Sequence, residues 1–163
     1  MSESITEIKT PSAKRILPVA PLSFFAMTLG LAETGSAWRS ASMTLHAPSL
    51  PGEILQALAV LTFLWWLALY INKWVNHRAA AQAELADPVQ ASFVALIPES
   101  IILVALAIHP YQSGIAVTVF WIGSVLNILY AAYRLSRLWT IDRKDEHTTP
   151  SLFLVYVASV LVN

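Results

Sequence analysis

Four long apolar segments in a chain of 163 residues predict an all-α integral membrane fold. Two further observations agree. Hydrophobic residues make up 56% of the chain and charged residues only 12%, with a mean hydropathy of +0.61, where a soluble domain carries roughly 25% charged residues. The few cations are also divided unevenly between the two sides that successive crossings create.

Residues 1–15 form a polar tail that closes on Lys14 and Arg15. It resembles the first part of a signal peptide, but the apolar run that follows, about 16–38, is too long and lacks a small-residue cleavage site. That run reads as an uncleaved first span, opening a transmembrane domain over 16–163. The second apolar run covers about 50–74, the third 88–109 and the fourth 113–139. Each reaches the ~20 residues a helix needs to cross a ~30 Å hydrocarbon core. Helix is the expected form, because lipid offers no partner for an open backbone amide or carbonyl. After a polar stretch, 140–150, comes a last apolar run over 151–163. At 1.5 Å per residue it reaches only about 20 Å, and it has no polar face for lying along the membrane surface. It is expected to be a partial fifth span.

Lys9, Lys14, Arg15, Lys73, Arg78, Arg134, Arg137, Arg143 and Lys144 all fall in segments on one side, and Arg39 alone falls on the other. The positive-inside rule then expects a cytoplasmic N-terminus. Trp74 and Trp139 come at the expected inner boundary and Trp38 and Tyr111 at the outer one, the headgroup level that amphipathic rings favour.

Composition excludes several function classes. The chain has no cysteine, so disulfides, thiolate metal sites and cysteine nucleophiles are ruled out. His46, His77, His109 and His147 are scattered singly, without the spacing of a helical metal site. A formal net charge of zero gives no sign of a nucleic-acid partner. No nucleotide loop, nucleophile elbow or paired-carboxylate motif is present, so neither an enzyme nor a bound cofactor is expected.

A few residues stand out. Pro98 lies near the middle of the third span, where a missing amide and a ring clash predict a kink near Val94. The kink serves packing alone, or it marks a broken helix whose amides face an anion. Glu99 follows at mid-membrane depth, where a carboxylate is costly; it is a functional group, or a protonated acid satisfied within the kink. Glu33, between Gly30 and Gly35, either lines an outer vestibule or reaches the interface or Arg39. Ala26, Gly30 and Thr34 share one face of the first span, and Gly123, Asn127 and Ala131 one face of the fourth, the pattern of close helix contacts.

Several stretches, in order, resemble one family. The first span carries Leu17 and Pro18, then Ser23, Phe24 and Phe25, then Leu29, Gly30, Leu31 and Ala32, and closes on Ala37, Trp38 and Arg39. The third opens with Asp87, Pro88 and Val89 and continues Ser92, Phe93, Val94, Ala95, Leu96, Ile97, Pro98. Trp139 and the run from Thr148, Thr149 and Pro150 to Leu152, Phe153 and Leu154 complete the pattern. The chain thereby resembles the tellurite-resistance and C4-dicarboxylate transporter family, which includes the slow-type anion channels.

That resemblance implies the first half of a ten-helix channel or carrier in the cell inner membrane, with odd-numbered helices around a pore and even-numbered ones outside. It implies small inorganic or organic anions as cargo and a homotrimer as the assembly. Carried over by position, Phe24, Phe25, Gly30 and Pro98 belong to pore-side helices, and Glu99 joins them beside Pro98. Two departures stand against it. Residues 154–161 lack the family's proline, glycine and asparagine, and Glu99 stands where a small or hydroxyl residue is common. A shortened or inactive four-helix relative without a pore of its own is the alternative expectation.

Overall fold

The computed structural model describes residues 20–140 together with Pro150, Phe153 and Val155. The described residues form helices and no strand. Five α-helices follow one another: α1 (Phe25–Leu45), α2 (Leu50–Asn76), α3 (Arg78–Ala86), α4 (Leu96–Ile108) and α5 (Ser113–Thr140), with 3-10 turns at Leu22–Phe24 and Gln90–Ala95.

Local chemistry sets the boundaries. Pro21 is extended (φ −71°, ψ 151°) and starts the first 3-10 turn. α1 stops at His46, whose φ of 56° is the left-handed conformation that ends many helices. α2 begins with proline in its first turn, where a missing amide costs nothing. Glu53 near its start and Lys73 near its end complement the helix dipole. The Asp87 carboxylate accepts the Val89 and Gln90 amides, each at 2.8 Å, and so opens the second 3-10 stretch.

Among the described residues three helices are long and apolar enough to cross a membrane: Leu50–Asn76, the continuous Gln90–Ile108 run and Ser113–Arg137. The middle one contains 19 residues. Because its first part is 3-10, rising about 2.0 Å per residue, it still reaches roughly 32 Å. α1, at 21 residues, is long enough but carries Glu33, Arg39 and a series of serines and threonines.

The layers follow from burial. In the Gln90–Ile108 run 67% of the apolar window is buried inside the protein, against 22% in α2 and in α5. α4 is therefore the inner helix, with α1 and α2 on one side and α5 on another. Leu22, Phe25, Phe63, Leu96 and Val104 form the main cluster, and Ala32, Ala59 and Leu103 a second. Close approach depends on missing side chains. A methyl group on Gly123 would meet Ile102 at 2.8 Å, and one on Gly52 would lie 3.3 Å from the Gly35 carbonyl.

Three expectations need correction or extension. The first helix continues to Leu45, so most of the outer segment expected after Trp38 is helical. The expected inner loop 75–87 contains α3. Pro98 lies near the middle of the Gln90–Ile108 span, as expected, but within the first turn of α4, directly after the 3-10 stretch. The change of helix type falls where a kink was expected, and the proline occupies a position that tolerates the loss of its amide. The expected fifth span lies outside the described residues apart from Phe153 and Val155, as do residues 16–19 of the first.

Candidate functional site

α4 and α5 run antiparallel, and their register is fixed at two levels. Arg134 donates to the Ser92 hydroxyl at 3.2 Å, and Gly123 faces Ile102. Between these levels Glu99 comes to the depth of Asn127. Glu99, Ser100 and Asn127 are fully buried and Ser124 nearly so. Among the described residues, both Glu99 carboxyl oxygens, the Ser100 and Ser124 hydroxyls and both polar atoms of the Asn127 amide have no hydrogen-bond partner. Buried polar groups are nearly always paired, so these groups are costly for packing alone. Glu33 lies within electrostatic range of Glu99.

The five residues singled out in the sequence divide into two sets. Phe25, Pro98 and Glu99 are buried. The Phe25 ring meets Phe63 and Tyr70 edge-on, at 6.2 and 6.4 Å. Phe24 is 40% exposed and leans on Trp66, with ring centres 4.8 Å apart. Gly30 is exposed, and a methyl group added to it would meet nothing within 4 Å. Ala26, Glu33, Thr34 and Ala37 are exposed on the same helix. The small-residue face of α1, expected as a helix contact, is thus open among the described residues. The corresponding face of α5 does pack: Gly123 and Asn127 are buried against the α4 side.

Polar clusters close the two ends. At the expected outer end the Arg39 guanidinium grips Glu53 with two bonds, Nε to Oε1 at 2.9 Å and Nη2 to Oε2 at 2.8 Å. The carboxylate partner of Arg39 is therefore Glu53 and not Glu33. Tyr111 donates its hydroxyl to the same carboxylate, which raises the phenol pKa by favouring its protonated form. A cavity of about 440 Å³ opens beside this cluster, floored by Gln56. The Gln56 amide donates to the Ala32 carbonyl at 3.0 Å and to the Ser36 hydroxyl at 2.9 Å, tying α2 to α1.

At the other end Lys73 and Glu84 form a buried pair. The remaining Glu84 oxygen accepts the Leu22 amide at 3.0 Å, so the pair also fixes the entry to α1. Sequence reasoning missed this contact. The break at His77 destroys any helical spacing between the two residues, and no periodic signal links them.

The comparisons with known proteins converge on one family. The voltage-dependent anion channel family matches residues 20–163. The tellurite resistance protein TehA homolog of Haemophilus influenzae is 30% identical over 142 residues. The aligned part is 85% of this chain and 43% of that relative, so the chain spans less than half of the relative's length. The inner position of α4, the peripheral α2 and α5, and a match that runs from residue 20 onward all concern the same stretch. The chain belongs to the voltage-dependent anion channel family.

Proposed function

We propose that this chain serves the passage of small anions across the cell inner membrane, as part of a channel or of a C4-dicarboxylate or tellurite carrier. The observation that carries the reading is the family match over residues 20–163. The arrangement of helices supports it. α1 and α4 supply the pore side and α2 and α5 the outer ring, as in the first half of a ten-helix pathway. The open face of α1, with Gly30 and Thr34, then lines the pathway near Phe24. Pro98 sets the start of α4, and Glu99 is its ionisable group.

Because the aligned part is 43% of its relative's length, the pathway wall needs further helices, from more of the same protein or from other chains. A trimer with one pathway per subunit is the assembly we favour. The test is flux in liposomes. The 163-residue chain alone is expected to pass little nitrate or chloride. Reconstitution together with the remaining part of the Haemophilus influenzae relative is expected to give anion-selective flux. Absence of flux in the combined preparation would overturn the transport reading. Robust flux from the chain alone would instead overturn the incomplete wall and indicate a pore built from several copies.

A further inference from the structure

A second pocket, of about 260 Å³, opens at the expected inner end between α2, the Gln90–Ala95 stretch and α5. Tyr70, Tyr130 and Tyr133 surround it, Leu85 and Val94 form an apolar wall, and Arg134 and Arg137 supply its charge. Each guanidinium is held in place by neutral groups. Arg134 spends one nitrogen on the Pro88 carbonyl, at 3.0 Å, and on the Ser92 hydroxyl, at 3.2 Å. Arg137 donates to the Tyr133 hydroxyl at 2.7 Å and lies 5.7 Å over that ring. Among the described residues the two salt bridges are Arg39–Glu53 and Lys73–Glu84, so neither arginine of the pocket meets a carboxylate. Arginine presents five donors in a planar fork, and the bonds of Arg134 among the described residues use Nη2 alone.

Position decides the ligand. The pocket opens between α2 and α5, each with only 22% of its apolar window buried inside the protein, and Ala91 and Val94 at the start of the inner run form its floor. Tyr70 packs edge-on against Trp74 one turn further along α2, at 6.4 Å. Such rings belong at headgroup depth, where arginine forks recognise phosphate in two-point contacts. We propose that this pocket binds the phosphate-bearing headgroup of an anionic phospholipid, with Arg134 and Arg137 as the phosphate donors and Leu85 and Val94 beside the start of an acyl chain.

Native mass spectrometry of the purified full chain, with phosphatidylglycerol or phosphatidylcholine added to the detergent, tests this. Phosphatidylglycerol is expected to be retained in preference, and Arg137→Gln to weaken its retention about fivefold. Arg137 is exposed and anchors no helix backbone, so this variant is expected to keep the wild-type melting temperature. Arg134→Lys keeps the charge but loses the fork, and is expected to weaken retention as well. Arg78→Gln, an exposed cation on α3, is expected to change nothing. Equal retention of the two lipids, or an equal loss from Arg78→Gln, would overturn the site in favour of diffuse charge attraction. Displacement of the lipid by millimolar inorganic phosphate would overturn the lipid as the source and leave a soluble-phosphate site.

Discussion

Lys73 and Glu84 meet at 2.5 Å across the break between α2 and α3, with side chains only 5% and 9% exposed. One carboxylate thereby joins three parts of the chain: the end of α2, the short α3 and the Leu22 amide at the entrance to α1. A pair this buried is weak evidence of net stabilisation, because desolvation offsets the attraction. Losing one partner is different, since it strands a charge.

Lys73→Met is therefore expected to destabilise the protein by about 3–5 kcal/mol. The double variant Lys73→Met with Glu84→Leu is expected to recover most of that loss. Melting of the detergent-solubilised variants would show it. A double variant no more stable than the single one would mean that the Leu22 amide bond, and not the ion pair, is what matters.

Two glycines on different faces should respond in opposite ways. Gly123→Val forces atoms into Ile102 and the α4 backbone, where even a methyl group would lie at 2.8–3.1 Å, and is expected to cost about 1–3 kcal/mol or more by overpacking. Gly30→Ala meets nothing within 4 Å and is expected to stabilise α1 by about 0.5–1 kcal/mol through helix propensity. If the open face of α1 lines the pathway, the same Gly30→Ala will lower anion flux in the combined preparation while the protein melts higher. Unchanged flux would remove Gly30 from the pathway.

Glu99 has no hydrogen-bond partner to lose among the described residues. Glu99→Leu, of similar volume, is expected to be neutral or stabilising, whereas substitution of a paired buried carboxylate destabilises. Glu99→Gln keeps the shape and removes the ionisable group, and is expected to raise nitrate flux in the combined preparation. A marked fall in melting temperature for both variants, with flux unaffected, would make Glu99 a packing group.

Orientation is open to direct labelling. Ser49 and Ala83 are both exposed and lie at opposite ends of α2 and α3. A membrane-impermeant thiol reagent applied from outside is expected to modify a cysteine placed at Ser49 and to spare one placed at Ala83. The reverse pattern would invert the whole topology.

What the sequence alone determined is local. Apolar length located the runs that became α2, the Gln90–Ile108 stretch and α5, because in lipid each segment must satisfy its own backbone. Ordered motifs identified the family, and glycine at 123 with asparagine at 127 marked the face of α5 that packs. Only tertiary structure decided how the helices are rotated and which polar groups meet. Segments that are apolar on nearly every side carry little amphipathic signal to orient them. So nothing local distinguished the buried Phe25 from the exposed Phe24, or revealed the open face of α1. Nothing local paired Arg39 with Glu53 in preference to the nearer Glu33, either. Pro98 makes the same point: its missing amide predicts a fault in a helix, and the 3-10 stretch before it turns that position into a beginning. Such contacts join residues far apart in the chain, and only the packing of whole helices brings them together.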